Sequence, residues 1–322
     1  MPGLCVGIDI GGTNLKAGLL TPDGRMLDTC KHQLTPEEKS EAGAVSAMKH
    51  IFSELLGRSG LGPDGLLGVG LGVAGIIDDK LGVITQAPQF PLWRNFALVE
   101  RLSKAIGLPV AMENDVNAIA RGEKWCGAAV DVDNFICMAI GTGLGGALCL
   151  NGEIWSGMDG MAGEFGHICV DAGGAPCGCG SNGCLETFAS AVGLIRMVKA
   201  DNYRTVLDHA ADDAAIPYTL ARLAESGDAQ AKRYWEIFGR ALGQVLGGLL
   251  NALNVKTVLF GGGLSKSFSL FAPAMEAEIK HRAFPAVARN LDFRVGKLWE
   301  DAGIYGAAAA LLNRIDRRER TW

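Results

Sequence analysis

Apolar positions fill most of residues 4–10 (LCVGIDI), break at Gly11-Gly12-Thr13-Asn14, and resume over 15–20 (LKAGLL). Short apolar runs bounded by glycine read as buried strands. A turn at Pro22, Asp23 and Gly24 leads to a third short strand. Between 37 and 57 the period changes: Ala44, Val45, Met48, Ile51, Phe52 and Leu55 recur at helical spacing, and Gly57 closes the run. Residues 66–73 (LLGVGLGV) predict a strand, 95–106 a helix, 108–112 (LPVAM) a strand and about 115–125 a helix. At 134–140 the opening device returns: NFICMAI, the glycine turn GTGLGG, then a strand, ALCL, about 130 residues after its first occurrence. Repetition of a whole strand–turn–strand unit predicts a duplicated fold with a cleft between lobes. Residues 152–186 read as loop and 187–254 as helices, with 234–253 apolar enough to be buried. A strand at 257–260, the turn GGGLS, a helix from about 269, a strand near 292–298 and an Ala-rich helix at 302–314 complete the pattern.

Composition narrows this little. Of 322 residues, 48% are apolar and 20% charged, as in an ordinary globular enzyme. A net charge of −5 offers no basic field for nucleic acid. The apolar stretches around 65–77 and 136–150 are Gly-rich and shorter than the roughly 18 residues of a spanning helix, so no membrane partner is expected. MPGLCVGIDI lacks the basic start of an export signal, and the nine cysteines are an odd number; the expectation is a reducing, cytoplasmic setting. Glycine is the outlier: 45 residues, gathered between apolar runs, imply tight loops on a strand-rich scaffold.

Three of those loops follow strands: Gly11-Gly12-Thr13, Gly141-Thr142-Gly143-Leu144-Gly145-Gly146, and Gly261-Gly262-Gly263. Backbone N–H groups in such turns converge on phosphate oxygens where no Cβ intervenes. No GxGxxG opens a helix near the N-terminus, and no Walker A pattern, GxxxxGK(S/T), occurs. With hydroxyls at Thr13 and Thr142, the set points to a nucleotide. Asp9, just before the first turn, reads either as a Mg²⁺-steering carboxylate or as a cap on local N–H groups. Asp115, in Glu113-Asn114-Asp115 where a strand gives way to a helix, reads either as an N-cap or as a general base. A helix N-terminus stabilises an ionised carboxylate, so the two roles are compatible.

Cys177-Gly-Cys179-Gly-Ser-Asn-Gly-Cys184 packs three thiols into eight residues, with His167 ten residues upstream of Cys177. Three thiolates and one imidazole complete a closed tetrahedral zinc site. An iron–sulfur cluster or metal-free redox thiols are the alternatives; a cluster usually takes a fourth cysteine, and CxC with a nearby His favours zinc. Cysteines 5, 30, 126, 137, 149 and 169 lie mostly in apolar runs and are expected in the core. Glu164 and Glu186 flank the thiol cluster; they read either as solvated surface or as acceptors that a braced loop would present to sugar hydroxyls.

These segments together resemble the ROK family within the actin-like ATPase superfamily: GIDIGGTNLKAGLL (7–20), ENDVNAIARGE (113–123), AIGTGLGGAL (139–148), GEFGH (163–167), CGCGSNGCLE (177–186), FGGGLS (260–265) and DAGIYGAA (301–308). The resemblance implies a two-lobed α/β actin-like (ribonuclease H-like) fold with duplicated mixed-sheet domains. The small lobe would be 1–118, completed by 302–322, and the large lobe 119–301. It implies ATP-dependent phosphorylation of a free hexose on its 6-hydroxyl, most closely glucose, with N-acetylhexosamine or allose kinases as alternatives. Asp115 would be the base. Asn114, Glu164, His167, Glu186 and the backbone near Gly75 would bind the sugar. The turns 9–14 (Asp9, Gly11, Gly12, Thr13, Asn14) and 141–146 would hold the ATP phosphates with Mg²⁺, with Gly262 and Gly263 beside the nucleoside. His167, Cys177, Cys179 and Cys184 would hold a structural Zn²⁺, and the assembly would be a homodimer. Some family members instead accept polyphosphate, and others are sugar-responsive repressors with a winged helix before the first hairpin, for which no room is expected here. A catalytically silent sugar sensor is a third possibility, against which the intact phosphate turns count. Two positions depart from the family's usual pattern: Gln89 where Asn is common, and Asn14 where Lys is common.

Overall fold

The computed structural model describes residues 3–319. The chain divides into two compact units. The first is built from the chain up to Asp133, from Leu148–Ala162 and from Lys297 onward; the second from Asn134–Ala147 and Gly163–Gly296.

In the first unit the chain forms β1 (Leu4–Ile10), β2 (Asn14–Leu20), β3 (Met26–Gln33), α1 (Glu41–Ser59), β4 (Leu66–Val73), β5 (Ile76–Asp78), β6 (Val83–Gln86), β7 (Arg94–Phe96), α2 (Leu98–Ile106), β8 (Val110–Asn114) and α3 (Asp115–Cys126). The main sheet has the order β3-β2-β1-β4-β8. β1, β4 and β8 run parallel, with Asp9 opposite Gly72, Gly72 opposite Glu113, and Ile10, Val73 and Asn114 forming the last rung. The turn after β1, Gly75 after β4 and Asp115 after β8 therefore share one edge, at the carboxyl ends of parallel strands, where open α/β sheets bind ligands.

Two helix starts differ from expectation. α1 begins at Glu41 rather than 37, because the Ser40 hydroxyl caps it by accepting from the Gly43 N–H at 3.1 Å. α2 begins at Leu98 rather than 95, because 94–96 pair with β6 in a three-stranded sheet, β5-β6-β7. That sheet was not expected: strands of three or four residues show too little alternation to be read. Beside it, Trp93 stacks on Phe90 with centroids 3.9 Å apart and donates from Nε1 to the Lys39 carbonyl at 3.0 Å. Both rings are buried.

The second sheet contains β9 (Phe135–Ile140), β10 (Leu144–Leu150), within which the boundary between units falls, and β11 (Glu153–Ile154). Helices α4 (Ala191–Ala200), α5 (Arg204–Leu207), α6 (Ile216–Glu225) and α7 (Ala229–Leu253) follow, then β12 (Thr257–Gly261), α8 (Phe268–Arg282) and β13 (Asp292–Val295). The strand order β11-β10-β9-β12-β13 repeats that of the first sheet. β12 is parallel to β9, with Gly261 opposite Ala139. The turns at 141–143 and 262–263 are thus neighbours, as the corresponding turns are in the first unit. α7 starts five residues earlier than its apolar stretch, because Asp228 accepts from the Ala231 N–H at 2.7 Å. Trp235 and Phe238 of α7 pack against Phe271 of α8 to form this unit's aromatic core.

The last helix, α9 (Ala302–Glu319), belongs to the first unit, and its backbone rests on glycines. A Cβ at Gly70 of β4 would collide with the Ala307 carbonyl, and one at Gly306 would collide with the Ala118 carbonyl of α3. Only bare Cα atoms allow sheet, α3 and α9 to approach this closely. Among the described residues no helix is long and apolar enough to cross a membrane.

Candidate active site

Asp115 is the first residue of α3, and the cap of that helix is Asn114. The Asn114 Oδ1 accepts from the N–H groups of Val116 (3.0 Å) and Asn117 (3.2 Å), while its Nδ2 donates to the Gly75 carbonyl at 3.2 Å. The capping role open to Asp115 in the sequence thus falls to its neighbour. Asp115 stands half-buried in the first turn, where the helix dipole favours its charged form. Glu113 fixes the junction from behind. It is buried, its Oε2 accepts from Arg121 Nη2 (2.8 Å) and Nε (3.2 Å), and its Oε1 accepts from the Asn114 N–H at 3.2 Å. Nothing in the linear spacing announced this ion pair; Glu113 and Arg121 meet only because α3 turns back along β8.

Asp9 occupies the same edge. Burial pushes its carboxyl up to about 6, the negative charge of Asp115 adds to the rise, and Lys16 opposes it. A Cβ at Gly303 would stand 2.8 Å from the Asp9 Cγ, so the start of α9 leaves space for this carboxylate only because residue 303 has no side chain. A buried carboxylate with a second carboxylate nearby suits a divalent cation, which the oxygen chemistry of Mg²⁺ would satisfy. In the adjoining turn, Gly11 N–H donates to the Asn14 carbonyl at 3.0 Å and Thr13 is exposed at the tip. The Gln89 side chain lies where a Cβ on Gly12 would point, so this departure from the family pattern abuts the first glycine turn.

The second unit carries the matching turn: Gly141 N–H donates to the Gly143 carbonyl at 2.9 Å, with Thr142 exposed. The start of α4 holds it, through the N–H groups of Ala191 and Val192 donating to the carbonyls of Gly141 (3.0 Å) and Thr142 (3.1 Å). Glu186 is half-buried, and its Oε2 accepts from the Leu144 N–H at 3.0 Å. The carboxylate expected to meet sugar is therefore also a brace of the glycine turn. Gly262 has φ +80° and a Cα tight against Ile140, and the exposed Tyr218 has its hydroxyl beside Gly263.

Residues 163–186 contain no helix longer than a single tight turn, at Phe165–His167 and at Leu185–Thr187. Backbone hydrogen bonds, among them Cys177 N–H to the Ser181 carbonyl (2.8 Å) and Gly183 N–H to the Ala175 carbonyl (2.7 Å), shape this irregular ribbon, and four donor side chains converge within it. The donor atoms of His167, Cys177, Cys179 and Cys184 all lie within 4.8 Å of one another. The Cys177 Sγ is 3.5 Å from His167 Nδ1, and the Cys179 and Cys184 sulfurs are 3.6 Å apart. A tetrahedron with bonds of about 2.3 Å separates its corners by about 3.8 Å, so the spacing fits a four-coordinate zinc. The Ser181 N–H holds the Cys179 thiol below its ordinary range, whereas burial pushes the Cys184 thiol up to about 12, so only one of the two is poised as a thiolate without the metal's charge. With Nδ1 turned to the thiols, His167 Nε2 faces the Glu164 carboxylate at 3.8 Å. Cysteines 5, 30, 137 and 149 are buried as expected, but Cys126 is half-buried and Cys169 is exposed, because residue 169 lies in an irregular ribbon and not in a strand of the core.

Two sheets of one strand order, each with a glycine turn after its first strand, define the actin-like class of α/β ATPase folds. Within it the chain belongs to the ROK family, whose profile matches residues 5–314. The chain is 35% identical to a glucokinase of Halalkalibacterium halodurans, covering 94% of this chain and 92% of that protein. The crystal structure of a ROK family glucokinase from Streptomyces griseus, in complex with glucose and AMPPNP, superposes with a TM-score of 0.78 at 32% identity, covering 95% of this chain and 98% of that one. The xylose repressor of Bacillus subtilis is 28% identical over 97% of this chain and 78% of its own length.

Proposed function

We propose that the protein is an ATP-dependent hexose kinase that transfers the γ-phosphoryl group to the 6-hydroxyl of glucose. The observation that carries this reading is the strand-end pair Asp9 and Asp115, each beside its own backbone turn, with helix capping assigned to Asn114. Asp115, in the first turn of α3, accepts the proton of the attacking hydroxyl. The glycine turns after β1 and β9 receive the phosphates through backbone N–H groups, Thr13 and Thr142 adding hydroxyls. Asp9 would hold Mg²⁺, which neutralises charge on the transferring group. Asn114, Glu164, His167, Glu186 and the backbone at Gly75 orient the sugar, and Gly262 and Gly263 border the nucleoside. His167, Cys177, Cys179 and Cys184 would hold Zn²⁺, which supplies fixed geometry to the loop and has no open position for chemistry. The glucokinase relatives support glucose over N-acetylhexosamines.

The test is a coupled ADP-release assay with glucose, mannose, allose, N-acetylglucosamine and N-acetylmannosamine. Glucose should give the highest kcat/KM. Absence of turnover with all five sugars would sink the reading and favour the regulatory role of the repressor relatives.

A further inference from the structure

Cys169 is a thiol beside the His167–Cys184 donor set but outside it. Its backbone pairs with Cys184 in an isolated antiparallel bridge. The flanking hydrogen bonds run from the Leu185 N–H to the Ile168 carbonyl (2.9 Å) and from the Val170 N–H to the Gly183 carbonyl (2.8 Å). Cys169 and Cys184 are therefore a non-hydrogen-bonded pair, the kind whose Cα atoms approach to about 4.5 Å with both side chains on one face. Disulfides span Cα separations of about 4.4–6.8 Å. Of the two thiols, Cys169 is exposed and Cys184 fully buried, so solvent oxidants reach Cys169 first.

We propose that Cys169 is an oxidation site for hydroperoxides, closing a disulfide with Cys184 and dismantling the metal site. The proposal rests on the zinc reading above. The Cys169 thiolate attacks a peroxide oxygen; an S–O bond forms, the O–O bond breaks, and hydroxide or alkoxide leaves. The Cys184 sulfur then attacks the Cys169 sulfur, an S–S bond forms, and the sulfenic hydroxyl departs as water after taking a proton. Two thiols lose two electrons in all, and hydrogen peroxide becomes two waters. The donor set is left with His167, Cys177 and Cys179, three ligands where four closed the site. The loop that carries Glu164 and Glu186 then loses its brace, and a thiol reductant restores it.

The experiment uses the purified full-length protein, its zinc content measured first. Hydrogen peroxide is added in small molar excess, metal release is followed with a chromogenic chelator, and thiols are then trapped and the chain cut before aspartates without reduction. Cleavage there separates a peptide 159–170, whose only cysteine is Cys169, from a peptide 171–200 holding Cys177, Cys179 and Cys184. The expected result is a cross-link between these peptides, mapped by fragmentation to Cys184. Cys169→Ser should match the unoxidised wild type in zinc content and turnover, yet release metal at least tenfold more slowly under peroxide. Unchanged release from that variant, or a disulfide confined to 171–200, would overturn the proposal. Protein isolated without zinc would defeat the metal reading alone, and the cross-link would still decide the thiol pair.

Discussion

The junction at 113–115 and the loop at 163–186 both present candidate ligand-binding side chains, but they reach order by different means. At the junction, a parallel strand ends, a helix starts, and Asn114 and Glu113 satisfy the exposed backbone groups between them. Position follows from secondary structure, and burial of the Glu113–Arg121 pair locks it. In the loop, two tight turns and isolated bridges replace extended secondary structure, and four donor side chains converge among them. A site of the first kind persists while the fold persists. One of the second kind can be switched off with the rest of the unit intact.

The sharpest attack on this contrast is Asp115→Ala, which removes chemistry without removing structure. Turnover should fall about 10³-fold or more, while sugar affinity measured by calorimetry stays within about tenfold, because the base acts at the transition state. Near-normal turnover would refute its role. Next, Cys179→Ser should abolish zinc in elemental analysis and lower turnover by about 10²-fold, since three donors no longer close the site. Hydrogen exchange should then quicken across 163–186 and stay slow in α3; loss of protection in both would erase the distinction. Asn114→Ala should cost about 1 kcal/mol of stability through the lost cap and reduce kcat/KM about 10- to 100-fold, whereas Asn114→Asp should restore the cap but not the donation to the Gly75 carbonyl, and so recover the stability only in part.

The smallest effect tests Asp9. A carboxyl raised to about 6 binds protons more tightly in the folded chain than in the unfolded one. Its cost is absent below the ordinary carboxylate pKa and is fully present above about 6, so stability falls as pH rises through that window. In nucleotide-free protein, Asp9→Asn should raise Tm by about 2–5 °C at pH 7.5, and the gap should close as the pH is lowered toward 4. A gap that widens at low pH would show that the sign is wrong.

The duplicated strand–turn–strand device, the strands at 66–73 and 257–260 and the terminal helix were legible because long apolar runs and clustered glycines are local signals. So was the convergence of His167 with three cysteines, which the spacing alone announces. What escaped was non-local or too brief. The β5-β6-β7 sheet has strands of three or four residues. Asn114 and Asp115 are both good cap residues, and only geometry shows which one caps. Glu186 bracing Leu144, and Gln89 lying on Gly12, join positions 42 and 77 residues apart, a distance at which no pattern in the chain carries information.

The seat of α9 on Gly70 and against α3 has a temporal consequence. Residues 302–319 are synthesised after every other described strand and helix, and β1 and β4 lack one covering layer until they arrive. At about 5–20 residues per second, β1 waits roughly 15–60 s and β4 roughly 11–49 s for that layer. The second unit, whose last residue is Gly296, is free to close before α9 is made.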